Sequence, residues 1–127
     1  MREIAAKISD SELEVLSVLW EAGEPMSLAQ LREALERGHS WDGSTVKTLV
    51  RRLCEKGAAQ GEKREVFYYR PLISRREYSA WSTRTLIDRL FRGSAAQLVA
   101  SLVEGDQLSA DDIRELMAGF GGGEGHE

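Results

Sequence analysis

The segment WDGSTVKTLVRRLCEKG, residues 41–57, predicts a helix over about residues 43–56 that has two chemically opposite faces. At about 100° per residue, its apolar side chains fall on one arc: Val46, Leu49, Val50 and Leu53. The opposite arc carries hydroxyl and cationic side chains: Ser44, Lys47, Thr48, Arg51 and Arg52. Asp42 is the predicted N-cap. Such a helix buries one face and offers the other to a polar or anionic partner.

The residues on either side of this helix predict the rest of a small domain. Two helices precede it, over about residues 10–22 and 28–37, and each begins at a Ser followed three residues later by Glu or Gln, as in a capping box. Two short antiparallel strands follow it, over 58–61 and 66–70, joined by a polar tip. Three helices and a hairpin within residues 1–72 predict a winged helix-turn-helix.

The C-terminal part predicts three further helices, over about residues 75–91, 95–104 and 110–119. A segment of this size cannot build a large core alone, so we expect its apolar side chains to pack against another copy. The predicted dimerisation residues are Tyr78, Trp81, Leu90, Phe91, Leu98, Leu102, Ile113 and Leu116. The predicted fold is therefore mainly α: a winged helix-turn-helix DNA-binding domain (1–72), a three-helix dimerisation segment (73–120) and a disordered tail (121–127).

The distribution of charge indicates where an anionic partner would bind. The 127 residues carry a net charge of −4, but residues 43–70 hold 7 basic and 3 acidic residues, net +4, between two acidic flanks. Local charge governs what a surface attracts within a Debye length of roughly 10 Å. This block contains the predicted DNA-binding residues, with base and near-phosphate candidates Ser44, Thr45, Lys47 and Thr48, backbone candidates Arg51 and Arg52, and the hairpin-tip pair Lys63 and Arg64.

Several other classes of protein are disfavoured by the sequence. No apolar run approaches the roughly 18 residues of a membrane span, and the N-terminus lacks the apolar core of a signal peptide, so we expect a cytoplasmic protein. A single cysteine excludes an internal disulfide and a CxxC metal site, and no P-loop, GxGxxG or HExxH motif is present. We therefore expect neither an enzyme nor a cofactor. Cys54 is interpreted as a small buried hydrophobe, with redox sensing as the alternative, and His39 as a solvated turn residue.

Three functions fit this pattern. A homodimeric regulator would bind an inverted repeat with half-sites about one helical turn apart, or a multiple of that spacing. A winged-helix interaction module would instead present the cationic helix to an acidic protein. A winged-helix repressor that senses a small molecule would carry an apolar pocket between the two parts of the chain.

The sequence also resembles the penicillinase-repressor (BlaI/MecI/CopY-type) family of bacterial transcriptional regulators. The similarity covers residues 8–120 and is carried by W-x-x-S-T-V-x-T-L-V-x-R-L-x-x-K-G at 41–57, with ISDSELEVLSVLWEAGEPMSLAQL, YYRPLISRREY and LFRGSAAQLVASLVEGDQLSADDIREL around it. The resemblance implies a dimeric repressor of resistance or stress operons that binds a palindromic operator. It places Ser44, Thr45, Lys47 and Thr48 in the DNA-contacting stretch, with Lys47 where Arg is common.

Two departures from the family pattern concern regulation. In penicillinase-type members a membrane-linked protease, a regulatory partner, cuts an Asn–Phe bond in the dimerising segment. The equivalent pair is Ser101–Leu102, and neither residue matches. Copper-responsive members carry a C-terminal CxC motif, whereas this chain has no cysteine after Cys54. The resemblance therefore leaves the inducing signal open.

Overall fold

The structure is a computed structural model that describes residues 2–121. Apart from Gly121, the predicted tail lies outside the described residues. Contacts between residues divide the chain into a first unit that ends at Ser82 and a second unit that begins at Thr83. Each unit is described by itself below.

The described chain is mainly helical, with one small sheet, and the predicted winged-helix class is confirmed. The elements in chain order are α1 (Arg2–Lys7), α2 (Asp10–Ala22), β1 (Met26–Ser27), α3 (Leu28–Glu36), α4 (Gly43–Glu55), β2 (Ala59–Lys63), β3 (Phe67–Pro71), α5 (Arg75–Leu90), α6 (Ala95–Glu104) and α7 (Ala110–Gly121). The helix predicted from residues 41–57 is α4. Two elements, α1 and β1, were not predicted from the sequence.

Capping boxes set the starts of α2 and α3 as the sequence predicts. The Ser9 hydroxyl oxygen accepts the Glu12 amide, while the Glu12 carboxylate accepts the Ser9 amide. Ser27 and Gln30 form the same reciprocal pair at α3. Each box satisfies two backbone donors, one at the N-cap and one in the first turn, which an isolated helix end would leave exposed.

The sheet contains a third strand that the sequence pattern does not reveal. β3 lies in the centre, antiparallel to both neighbours, with Tyr69 opposite Met26 on one side and Gly61 on the other. β1 has only two residues, too few to show an alternating pattern, and it forms because β3 offers it backbone partners. Lys63, predicted at the hairpin tip, is the last residue of β2.

The core of the first unit is built mainly from the apolar faces of α2, α3 and α4. The four apolar residues that the periodicity places on one arc of α4 are each 5% exposed or less. Trp20 joins α2 to the segment after the sheet, because its indole Nε1 donates to the Ile73 carbonyl oxygen at 2.9 Å. Tyr78 and Trp81, predicted as dimerisation residues, are half-buried and pack against this core at the start of α5. Their predicted role in a dimer stays a prediction.

The second unit leaves much of its apolar surface exposed. Within it, Ile87 is buried, at 5% exposed. Its exposed large apolar side chains are Leu86, Leu90, Val99, Val103, Ile113, Leu116, Met117 and Phe120. Leu98 and Leu102 of α6 are half-buried, as is Phe91 after α5. This unit therefore presents eight large apolar side chains to solvent, as surfaces that bind a partner do.

Candidate nucleic-acid interface

α4 carries the predicted contact residues on its outer side. The buried face of the helix, described above, fixes its rotation about its own axis. Ser44, Lys47, Arg51 and Arg52 are consequently exposed, while Thr45 and Thr48, on the same side of the helix, are half-buried. All six predicted residues therefore share one side of one helix, in reach of one ligand.

Asp42 organises the first turn of α4. Its carboxylate oxygen Oδ1 accepts the Thr45 amide at 3.0 Å, the Ser44 hydroxyl at 2.7 Å and the Thr45 hydroxyl at 3.2 Å. These hydrogen bonds, that from Ser44 foremost, hold the pKa of the exposed Asp42 carboxyl below its ordinary value. The carboxylate is therefore ionised at neutral pH, and both hydroxyl protons point toward it.

Farther along the helix, Lys47 and Arg51 differ in their surroundings. Among the described residues, no carboxylate oxygen lies within salt-bridge distance of Lys47 Nζ. Arg51 pairs with Glu55 one turn later, Nη1 to Oε2 at 3.3 Å, but both side chains are at least 60% exposed. Such an exposed pair contributes little and is readily exchanged for a phosphate. Neither cation is turned inward.

The hairpin adds cationic side chains lying on aromatic rings. Lys63 Nζ lies 5.9 Å from the centre of the Phe67 ring, and the Arg64 guanidinium lies 5.0 Å from that of Tyr68. Arg64 also pairs with Glu62, Nη2 to Oε1 at 3.0 Å. The aromatic rings restrict both cations to the surface of the hairpin.

Two contacts from outside α4 hold its ends. At its start, Arg32 Nε of α3 donates to the Gly43 carbonyl oxygen at 3.3 Å. At its end, Lys56 Nζ donates to the Lys7 carbonyl oxygen at 2.7 Å and to Glu12 Oε1 at 2.6 Å. Sequence reasoning missed all of these partners, because no local pattern links residues so far apart in the chain.

Glu12 is the buried member of the second contact, at 1% exposed. Burial alone would raise the pKa of its carboxyl, but the hydrogen bonds from Lys56 and Ser9 outweigh burial, and the pKa lies below its ordinary value. The ion pair therefore joins the α1–α2 junction to the end of α4, with the Glu12 carboxylate held in its ionised form.

The interpretation of His39 as a solvated turn residue is wrong. Its ring is half-buried and stacks on Trp41, with centroids 4.0 Å apart and planes 7° apart, and its Nε2 lies 3.3 Å from Glu14 Oε1. The stack with Trp41 could have been predicted, because the two aromatic residues are only two positions apart in the sequence. The contact with Glu14 could not, because Glu14 is distant in the sequence. The stack stiffens the turn that leads into α4.

Cys54, on the flank of α4, is half-buried, and burial raises the pKa of its thiol, so the reactive thiolate is disfavoured. Among residues 2–121 no cluster of His, Cys, Asp and Glu could hold a metal ion. A partly apolar cavity of about 590 Å³ lies within the first unit, beside Trp20, Pro71 and Leu72. Within residues 2–121, every helix is too short or too polar to span a bilayer.

A winged helix that exposes a cationic, hydroxyl-bearing face on its third core helix defines a DNA-binding transcriptional regulator. The model of the penicillinase repressor family matches residues 8–119. The chain therefore belongs to the penicillinase repressor family, whose members are transcriptional repressors rather than enzymes.

Individual relatives are similar over most of the chain. The penicillinase repressor of Bacillus licheniformis is 33% identical over 111 residues, covering 87% of this chain and 86% of that protein. The methicillin resistance regulatory protein MecI of Mammaliicoccus sciuri is 29% identical over 111 residues, covering 87% and 89%.

Solved structures of BlaI resemble the first part of the chain. The Bacillus licheniformis BlaI monomeric form in complex with the blaP half-operator matches with a TM-score of 0.51 and 34% identity, over 57% of this chain and 88% of that one. The DNA-binding domain of the repressor BlaI matches with a TM-score of 0.52 at the same identity and coverage.

Proposed function

We propose that this chain represses transcription by binding an inverted-repeat operator in duplex DNA as a homodimer, with α4 in the major groove. The observation that carries the proposal is the outer face of α4, where exposed cations and hydroxyls lie opposite a fully buried apolar face. In winged helices this arrangement places the N-terminal turns of the helix against base edges. The similarity to a BlaI structure solved with a half-operator supports the same assignment.

Each proposed contact follows from the chemistry of its side chain. Lys47 and Thr48 are assigned to base edges and nearby phosphates, and Arg51 and Arg52 to the phosphate backbone a turn later. Lys63 and Arg64 are assigned to the backbone or minor groove beside the hairpin. Lys47 donates as a point charge, so bidentate guanine recognition of the kind Arg performs is not expected there.

The proposed dimer rests on the exposed apolar side chains of the second unit. Three of them lie on the same face of α7, spaced three and four residues apart: Ile113, Leu116 and Phe120. Such spacing suits a helix that packs against a partner. One copy of BlaI with a half-operator suggests, by analogy, that two copies of this chain cover a full operator. We propose the segment from residue 73 to 120 as the dimerising part and residues 1–72 as the DNA-binding part. Tyr78 and Trp81 also pack against the core of the first unit.

Relief of repression is proposed to act through the dimer rather than through the DNA-binding face. The position equivalent to the family's cleaved bond, Ser101–Leu102, lies inside α6, where the Ser101 carbonyl accepts the Gly105 amide at 3.0 Å. A regulatory protease needs extended backbone, so α6 would have to unwind before such a partner could cut there. Loosening α6 or α7 by any signal would lower operator affinity without touching α4.

Footprinting on the DNA upstream of the protein's own coding region tests the function. We expect protection of an inverted repeat. Binding to that site should fall steeply with salt, since each neutralised phosphate contributes about −0.9 to the log–log slope. A module that binds only proteins would protect no site at any salt concentration, and that result would contradict the proposal.

A further inference from the structure

The first turn of α4 presents hydrogen-bond acceptors, and no hydroxyl proton, to whatever it meets. A serine or threonine hydroxyl has one proton to donate and two lone pairs that accept. Asp42 has lost its own proton, so in both contacts with Oδ1 the hydroxyls of Ser44 and Thr45 are necessarily the donors. What remains available on these two oxygens is their lone pairs.

In the major groove, acceptors can pair only with the amino groups of adenine and cytosine. Adenine presents N6–H₂ and cytosine N4–H₂, whereas guanine N7 and O6 and thymine O4 are acceptors themselves. Phosphate oxygens are also acceptors, and the exposed Asp42 carboxylate repels them. The Thr45 amide, which could bind a phosphate at a helix end, is already used by Asp42.

We propose that Asp42 is a positioning residue for sequence recognition: by holding the protons of Ser44 and Thr45, it directs the first turn of α4 to adenine or cytosine amino groups and away from phosphates. This inference rests on the proposed function, and it narrows the role of the two hydroxyls from base or near-phosphate contacts to base contacts alone. Phosphate binding then falls to Lys47, Arg51 and Arg52.

Selection of binding sites from random-sequence duplexes, using the full chain, tests this inference. The wild type is expected to select duplexes that carry A or C, rather than G or T, at certain positions of one strand. These are the positions that the first turn of α4 contacts. Asp42→Gly keeps a favourable N-cap but frees both hydroxyls, and we expect that preference to weaken about fivefold, the worth of one hydrogen bond. Asp42→Asn, which retains an acceptor oxygen, is expected to retain the preference.

Two further variants separate base contacts from phosphate contacts. Ser44→Ala should weaken the preference at one position and leave affinity for unrelated sequences unchanged, since a base contact is lost and no phosphate contact is lost. Ser40→Ala, an exposed serine before the helix, is the control and should select the wild-type sites. Thermal unfolding of every variant shows whether the domain remains folded.

The outcomes distinguish a failure of this inference from a failure of the proposed DNA-binding function. If the wild type enriches a site and Asp42→Gly enriches the same site with the same preferences, the inference is overturned and the DNA-binding function stands. If Ser44→Ala weakens binding equally on all sequences, the hydroxyl contacts phosphate and the inference is likewise overturned. A wild type that enriches no sequence overturns both.

Discussion

At the scale of single residues, Lys47 and Arg51 are the cations on which the proposed interface depends. Replacing either by Ala should weaken operator binding and reduce the magnitude of the log–log salt slope by about 0.9 if the side chain neutralises one phosphate. Arg84→Ala removes an equally exposed cation from α5 and serves as the control. Fluorescence anisotropy over a salt series measures all three variants. A loss of affinity with Arg84→Ala equal to that with Lys47→Ala would contradict the assignment.

The buried Glu12 makes the end of α4 sensitive to the loss of Lys56. Lys56→Met leaves a buried carboxylate without its cation, so we expect about 3 kcal/mol lower stability at neutral pH. The pKa of Glu12 is lowered in the folded state, so its ionised form contributes stability above its ordinary value of 4.5, and that contribution is lost as pH falls through the folded pKa.

The pH dependence identifies this mechanism. Once Glu12 is protonated, Lys56 no longer compensates a charge, so the difference between wild type and Lys56→Met should shrink as pH falls through the lowered pKa of Glu12. Urea unfolding at several pH values measures it. Arg84→Met breaks an exposed pair and should cost less than about 0.5 kcal/mol at every pH. A Lys56→Met deficit that does not change with pH would show that lost packing, not charge, is responsible.

At the scale of elements, the C-terminal end of α4 depends on the backbone conformation of Gly57, just after the helix. Gly57 has a φ of +80°, a left-handed conformation, and a Cβ there would lie 3.7 Å from the Ile4 side chain, an ordinary contact. Gly57→Ala should therefore destabilise through backbone strain alone, by about 1 kcal/mol. Gly38→Ala, where φ is not positive and no atom lies within 4 Å, is the matched control and should be neutral or slightly stabilising. Equal urea-unfolding curves for the two variants would contradict this explanation.

Individual helices and strands show which parts of the fold could be predicted from the sequence. The apolar faces and the starts of α2, α3 and α4 were predicted, because a helix is determined by hydrogen bonds and side-chain spacings within a few residues. The cationic, hydroxyl-bearing face of α4 was also predicted, because it too follows from the spacing of side chains within one helix. β1 was missed because its partner, β3, lies some 40 residues away. The state of the Ser44 hydroxyl was missed because it depends on where the Asp42 carboxylate points, which residue identity alone does not specify.

At the scale of the whole molecule, the exposed apolar side chains of α7 are proposed to hold two copies of the chain together, so that both DNA-binding parts bind one operator. Met117 is 68% exposed, so Met117→Glu should leave the fold intact while placing a charge in the proposed interface. We expect a monomer in sedimentation, and operator affinity about a hundredfold lower because two linked sites bind together. Affinity for an isolated half-site should not change.

The control for this variant is Gln107→Glu, which adds the same charge at an exposed polar residue outside α6 and α7. It should sediment and bind like the wild type. If Met117→Glu remains dimeric, α7 is not in the interface. If it becomes monomeric yet binds the full operator as well as the wild type, the proposed coupling is wrong.

The sequence by itself determined which segments form α2 to α7 and which face of α4 is buried, since both follow from residues that are near one another in the chain. Its motifs also carried the resemblance to the family. Only the tertiary structure decided that Lys56 contacts Glu12, that His39 contacts both Trp41 and Glu14, and that Tyr78 and Trp81 pack against the core of the first unit. The physical reason is that each of these contacts joins side chains whose approach depends on how several elements pack together. Local periodicity carries no information about that packing.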